Sequence, residues 1–469
     1  MVARELSLQS PVVSRRALFA VVASLVQSVP ALPVRVIPIP YADAKPILER
    51  LGPVLPAELR ARSDAELESA WVDFVSRRNA DIRARLQRGD EDSVINFLLF
   101  GTTFTRLPRA LNDSSKIGGR ERAAEIVRGR ITDLAAAIAS PGTNERLQFA
   151  RALVQRQGID PATAPGRDQA RTYFRSLMAR MAAEVDGYTR AIQSARGGAE
   201  LAVRSTLYRT RGLSSDTSLR PDFAIDQTLE ALASKGLLTA GSVRRVGIIG
   251  PGLDFTDKAE GYDFYPQQTT QPFSVIGSLL RLGLARAADL RVMTFDLSPR
   301  VNMHLDAARQ RARSGSPYTL MLPRNTDERW RPGLRAFWTS FGRGIGEEVK
   351  VTQSPPEATS VRAVNVSPDV VLAIEVRDLN VVVERLVPAS DQDRFDVIVA
   401  TNILVYYDVF EQSLALVNIA SMLRPGGFLL SNNVLVELPV VPMRAIGDTG
   451  TTYSDQPDDN DDVVWYQRR

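Results

Sequence analysis

From Tyr41 to Leu238 apolar residues recur at helical spacing, and from Arg244 onward they come in short continuous runs. Leu67, Trp71, Phe74, Ile82 and Leu86 fall near one helical stripe, with Arg and Asp between them. Ser63-Asp64-Ala65-Glu66 has capping-box spacing ahead of that stripe, which predicts a helix start there. Further helical patterns cover Glu91–Leu99, Arg120–Ala139, Asn144–Gln157 and Gln169–Ser194. The clusters Ile117-Gly118-Gly119 and Ser140-Pro141-Gly142 punctuate them. Leu32–Pro40 is Pro-rich and extended, as a linker or an edge strand is.

The later runs are Val246–Gly250, Arg291–Asp296, Ala373–Asp378, Phe395–Thr401 and Gly427–Asn432. Uninterrupted apolar runs suit strands buried on both faces, so a parallel sheet with crossover helices is predicted. Asp408–Leu423 is the clearest crossover helix. Asp408 and Glu411 form a capping-box-like start, and Phe410, Leu414, Val417 and Ala420 share one face. Pro425-Gly426-Gly427 follows as a stop, and Asp462–Tyr466 is expected as an edge strand. The pattern divides the chain into a leader (1–31), a mainly helical domain (32–240) and an α/β domain (241–469).

The leader reads as a secretory signal. Ser14-Arg15-Arg16 precedes the apolar run Ala17–Val26, and Val29-Pro30-Ala31 supplies a small-residue cleavage site. The paired arginines are similar to the bacterial twin-Arg type, which predicts export; retention as an ordinary N-terminal helix would leave the chain in the cytoplasm. Ala17–Val26 is too short for about 30 Å of hydrocarbon, and no later stretch is long and apolar enough for a span.

Composition narrows the chemistry. The chain has 469 residues, 44% hydrophobic and 24% charged, which is ordinary globular composition. The net charge is +4, and the signs alternate along the helical stretches as on solvated faces, so a nucleic-acid partner is not expected. The absence of Cys excludes disulfides, thiolate nucleophiles and Cys-ligated zinc. A single His, His304, rules against a His-based metal site and a Ser-His-Asp triad, and it is expected to be structural. Carboxylates, hydroxyls, amides, Arg and Lys remain, or a cofactor; no metal is expected.

Four motifs sit at strand ends. The strand Val246–Ile249 runs into Gly250-Pro251-Gly252, a turn whose glycines let backbone approach a ligand or make a tight structural bend. Asp296, followed by Leu297, ends the next strand, where a carboxylate can accept from both ribose hydroxyls or cap the helix after Pro299. Asp378 and Leu379 end another, suited to an adenine amino group and ring or to an exposed strand end. The fourth is Phe395-Asp396-Val397-Ile398-Val399-Ala400-Thr401-Asn402-Ile403-Leu404-Val405-Tyr406-Tyr407-Asp408, with its capped helix and Leu423-Arg424-Pro425-Gly426-Gly427-Phe428-Leu429-Leu430.

Together these motifs resemble the class I S-adenosylmethionine-dependent methyltransferases, over roughly Arg244–Arg469. Phe395–Asn432 is similar to the methyltransferase domain of chemotaxis-receptor-type enzymes. The resemblance implies a Rossmann-like, seven-stranded, mostly parallel sheet after a mainly α-helical domain. It implies S-adenosylmethionine across the C-terminal strand ends. Gly250 and Gly252 would face its methionine part, Asp296 with Leu297 the ribose, and Asp378 and Leu379 the adenine. Asn402 would lie near cofactor and acceptor, with Tyr406 and Tyr407 lining the acceptor site or packing beneath it. The acceptor would be a small molecule or a protein side chain. The sequence departs from the family at Ile248, where an acidic residue is usual, and at Asp254, in place of a third glycine. It carries insertions at Phe255–Gln271 and roughly Ala312–Gly346, the second rich in Arg and Trp and placed where the sheet could be extended. These departures and the leader leave a second reading, a non-catalytic, exported, methyltransferase-like interaction protein. A nicotinamide oxidoreductase is disfavoured because Phe255 stands where the dinucleotide motif needs its third glycine.

Overall fold

The computed structural model describes residues 35–110, 119–194, 211–257, 260–352, 355–456 and 459–469. The expected signal segment Met1–Ala31 lies outside the described residues. Strand β1 (Arg35–Pro38) leads into helix α1 (Tyr41–Leu51) and then into α2 (Asp64–Phe100). Ser63 caps α2 as its spacing predicts: its Oγ accepts from the Glu66 N–H, and the Glu66 carboxylate accepts back from the Ser63 N–H.

The stripe at Leu67–Leu86 and the pattern at Glu91–Leu99 belong to this one helix, which changes partner midway. Trp71, Phe74, Val75 and Ile82 pack with the sheet. Val94, Phe97 and Leu98 pack instead with α3 (Arg120–Ala137), α4 (Glu145–Arg156) and α5 (Ala164–Ser194). The apolar face rotates between the two partners, so the sequence shows two short stripes where the backbone shows one long element.

The helix α6 (Leu219–Ser234) precedes β2 (Arg245–Ile249), α7 (Gln271–Arg281), β3 (Arg291–Asp296) and α8 (Pro299–Arg313). Next come β4 (Tyr318–Asn325), α9 (Pro332–Ser340), β5 (Gly346–Val349), β6 (Thr359–Val366) and α10 (Pro368–Leu372). The chain closes with β7 (Ile374–Asp378), β8 (Glu384–Val387), β9 (Phe395–Ala400), α11 (Val409–Met422), β10 (Leu423–Ser431), β11 (Met443–Thr452) and β12 (Asn460–Arg468).

Seven strands form one sheet in the order β11-β12-β10-β9-β2-β3-β7. Pairing is parallel from β10 through β9, β2 and β3 to β7, while β12 runs antiparallel between β10 and β11. The expected Rossmann-like, mostly parallel sheet is therefore present. Side chains alternate between its two faces, as the strand period requires. Val246, Ile248, Val397 and Val399 enter one core with α6, α7, α9 and α10. Ile249, Ile398 and Ala400 enter the other with α1, α2 and α11.

Two placements differ from the sequence reading. Asp462–Tyr466 lies in an interior strand, because β11 adds outside it and takes the edge. The Ala312–Gly346 insertion does not lengthen the main sheet. Its strand β4 pairs with β6, and β6 with β5, in a separate antiparallel sheet. The N-terminal extended segment does become a strand, paired antiparallel with β8.

Asp408 caps α11 through a capping box with Glu411, and Phe410 behind it packs on Phe74 of α2 with ring centres 6.1 Å apart. Phe410 is 1% exposed. Phe410→Ala is expected to lower the unfolding free energy by about 3–5 kcal/mol. Urea unfolding checks this, and a loss below about 1 kcal/mol would contradict the packing described.

Candidate functional site

The site arises where the sheet changes direction. From β2 the chain crosses through α7 on one face to β3; from β9 it crosses through α11 on the other face to β10. Neighbouring strands whose connections leave to opposite faces open a crevice at their C-terminal ends. Here that crevice is a cavity of about 590 Å³, lined by Gly250, Phe295, Asp296, Thr401 and Asn402 among others.

Gly250 and Gly252 both line it, with φ of 67° and 64°. The space a side chain would take there is filled by the protein itself. A Cβ on Gly250 would sit 2.1 Å from Ile403 Cδ1, and one on Gly252 would sit 2.7 Å from the Ser215 carbonyl oxygen. Residues 211–219 lie along this turn: the Leu253 N–H donates to the Ser215 carbonyl at 2.7 Å, and the Thr217 N–H donates to the Leu253 carbonyl at 3.0 Å. That segment reaches the turn by crossing α2 at Gly89, where a Cβ would sit 1.8 Å from the Leu213 carbonyl oxygen. The glycine turn is thus sealed from behind and above, and the cavity opens beside it.

Asp296 is 9% exposed and lines the cavity. It accepts from the Ser298 N–H at 2.7 Å and from the Gly252 backbone. Burial nevertheless dominates and pushes its carboxyl up to about 6; the backbone donors and Arg300 only partly oppose that rise. Leu297, Leu379 and Val381 add apolar wall beside it.

Asp378 follows the second of its two sequence readings, an exposed strand end. It pairs in register with Asp296, but its side chain is exposed and does not line the cavity. Both its oxygens accept from the Arg83 guanidinium, at 2.8 and 3.1 Å. β7 is the edge strand, so α2 can reach past it and supply this cation, which no strand-end pattern reveals.

Asn402 holds a positive φ of 57°. Its N–H donates to Asn432 Oδ1, and Asn432 Nδ2 donates to Asn402 Oδ1, both at 2.7 Å. This reciprocal amide pair ties the ends of β9 and β10 at the cavity rim. Thr401 Oγ1 accepts from Gln271 Nε2 at 2.7 Å, linking β9 to the start of α7. Tyr406 and Tyr407 also line the cavity. Arg85 holds them from α2: its Nη2 donates to the Tyr406 carbonyl at 2.7 Å, and its guanidinium lies 5.8 Å from the Tyr407 ring centre. Burial pushes the Tyr407 hydroxyl above its ordinary range.

His304 is half-buried, with Nε2 2.7 Å from the Tyr318 hydroxyl. Burial lowers its pKa to about 4, so it is neutral at pH 7. No group of three or more His, Cys, Asp or Glu among the described residues could hold a metal ion.

Sequence reasoning missed part of the wall. Ser214, Ser215, Asp216 and Thr217 come from a polar loop without a motif; Arg324 and Trp330 come from the insertion; Asp461 comes from β12. The insertion's wealth of Arg and Trp was the available signal for Arg324 and Trp330. Nothing local marked Ser214–Thr217 or Asp461, because only the tertiary crossing brings them to the cavity.

No protein-family model matches the chain, and no curated protein matches it. Among solved structures it is similar to the N-methyltransferase NodS from Bradyrhizobium japonicum WM9, at 14% identity, covering 53% of this chain and 88% of that one, with a TM-score of 0.26. It is similar to the magnesium protoporphyrin IX methyltransferase ChlM from Synechocystis PCC 6803, at 10% identity, covering 60% and 90%, with a TM-score of 0.26. It is also similar to the mitomycin 7-O-methyltransferase MmcR, at 13% identity, covering 87% and 100%, with a TM-score of 0.29. The strand order and the crevice, rather than these distant overlaps, define the fold.

Gly250→Ala is expected to destabilise the protein by about 1–3 kcal/mol, from the left-handed backbone and the collision with Ile403. Ile403→Ala in the same chain removes the collision, so the two changes should be non-additive by about 0.5 kcal/mol or more. Urea unfolding of the double-mutant set checks this, and strict additivity would contradict the contact.

Proposed function

We propose that this chain binds S-adenosylmethionine in the crevice and transfers its methyl group to an acceptor. The observation that carries the reading is the convergence of Gly250, Gly252, Asp296, Leu297, Leu379 and Asn402 on one cavity at the switch point between β2 and β9.

The residues fit an adenosyl group. An ionised carboxylate offers about four lone-pair sites. The Ser298 and Gly252 N–H groups engage two of those on Asp296, which leaves acceptor capacity toward the cavity for ribose hydroxyls. Leu297, Leu379 and Val381 give the apolar surface an aromatic base needs. The volume of about 590 Å³ lies within the range of small-molecule sites and leaves room beyond an adenosyl group.

Bound there, S-adenosylmethionine would supply an activated methyl group, with Asp296 at its ribose and Leu297, Leu379 and Val381 around its adenine. The chain's own part is alignment, which alone can supply about 7–11 kcal/mol of barrier reduction. Asp296 fixes the sugar, the Asn402–Asn432 pair fixes the rim between the two halves of the crevice, and Tyr406 with Tyr407 excludes water from below.

Calorimetric titration with S-adenosylhomocysteine tests the reading. Micromolar binding is expected, with Asp296→Ala weaker by about 1–3 kcal/mol. Absence of binding, or binding of NAD instead, would overturn it.

The pH dependence follows from the raised carboxyl of Asp296. The ionised carboxylate accepts hydroxyl donors more strongly than the protonated form, which takes over below about 6. Affinity for S-adenosylhomocysteine should therefore fall as pH drops through that value, and Asp296→Asn should flatten the dependence. An identical pH profile in the variant would contradict the role given to Asp296.

A further inference from the structure

The cavity has two halves. Over β3 and β7 it is walled by Asp296, Leu297 and Leu379. Over β10 and β12 it is walled by Asn432, Asn433 and Asp461, and the insertion closes that side with Arg324 near the end of β4 and Trp330 beyond it. The insertion is fixed there by its backbone: Trp330 forms a bridge with Ser454, and the Arg331 N–H donates to the Tyr453 carbonyl at 2.8 Å.

Arg324 is the unusual group. Its guanidinium carbon lies 5.7 Å from the Trp330 ring centre and 5.4 Å from that of Trp338. That guanidinium makes no hydrogen bond or ion pair among the described residues, and its Nε is buried without a partner. The neighbouring carboxylates are engaged elsewhere. Glu328 pairs with Arg220 and accepts from Trp330 Nε1 at 2.5 Å. Asp459 also pairs with Arg220 and accepts from Ser454 Oγ at 2.5 Å. Asp461 accepts from the Tyr453 hydroxyl at 2.6 Å.

A guanidinium packed on aromatic rings keeps its donor edge free for a planar, two-point partner, which a carboxylate matches. A cation on a cavity wall with no protein counterion is incomplete without such a partner. We propose that the half of the cavity over β10 and β12 is the acceptor subsite and that the acceptor is a small molecule bearing a carboxylate, held by Arg324. Asp461 faces the same space and suits a hydroxyl or amine donor elsewhere on that molecule. The assignment rests on the reading that an adenosyl group fills the half over β3 and β7.

The test uses the full chain saturated with S-adenosylhomocysteine, and a panel of aromatic and aliphatic carboxylates, each paired with its primary amide, followed by ligand-observed NMR and calorimetry. Acids should bind at least about tenfold more tightly than their amides. Arg324→Gln should remove that preference and leave S-adenosylhomocysteine affinity within about twofold of the parent. Arg324→Lys, which keeps the charge and loses the fork, should retain an intermediate preference and controls for folding. The proposal is overturned if acids and amides bind alike, if no acid binds the saturated protein, or if Arg324→Gln leaves acid binding intact. It is also overturned if Arg324→Gln weakens S-adenosylhomocysteine itself about tenfold, which would place the cofactor's own carboxylate on Arg324. Failure of S-adenosylhomocysteine to bind the parent chain would instead strike the methyl-transfer reading, and the acid and amide panel on the free protein would still read the anion site.

Discussion

The parallel pairing of β2 with β9 is the constraint on which the rest of the molecule depends. Val246, Gly247 and Ile248 lie in register with Val397, Ile398 and Val399. That register sends Val246, Ile248, Val397 and Val399 into one core, and Ile249 and Ile398 into the other. Both strands therefore end at one level, and the chain after each must leave toward its own face. The crevice is a consequence of this geometry, and every element around it decorates a gap that the sheet already imposes.

The helical region contributes directly to that gap. α2 packs on the sheet at its start and in the helical bundle at its end, and Gly89 between them lets residues 211–219 cross against its backbone. Arg300 of α8 ties this roof to the bundle: it lies 4.3 and 4.9 Å from the ring centres of Phe149 and Phe255, and its Nη2 donates to Ser215 Oγ at 2.5 Å. Burial lowers the pKa of that guanidinium, with Asp216 and Asp90 opposing the shift. Arg146 works similarly, donating to the carbonyls of Phe255, Tyr265 and Asp254 from a fully buried position. The Phe255–Gln271 insertion is held in place by this arginine and by Tyr265 and Gln268, which donate to Asp254 at 2.7 and 3.1 Å.

Much of the frame was legible from pattern alone, because its causes are local. β3 has the bounds its apolar run predicts, and the Ser63 and Asp408 capping boxes start their helices as their spacing implies. Asp296, Leu297, Leu379 and Asn402 stand at cavity-lining strand ends because strand ends are where a doubly wound sheet presents side chains. The exceptions have non-local causes. Asp378 satisfies the strand-end pattern but meets Arg83 across a sequence separation of 295 residues. Gly250 and Gly252 satisfy the turn pattern, yet Ile403 and Ser215 occupy the space they leave. Arg324 reaches the cavity because a small sheet is inserted, and Asp461 because β12 pairs antiparallel beside β10; neither placement follows from a local pattern.

The crystal structure of the complex with S-adenosylhomocysteine is the most direct measurement of the central claim. The adenine should lie against Leu297 and Leu379, the ribose hydroxyls on Asp296, and the sulfur should aim past the Asn402–Asn432 pair toward the half of the cavity over β10 and β12. A ligand bound elsewhere on the chain, or one seated in the crevice without touching Asp296, would contradict it.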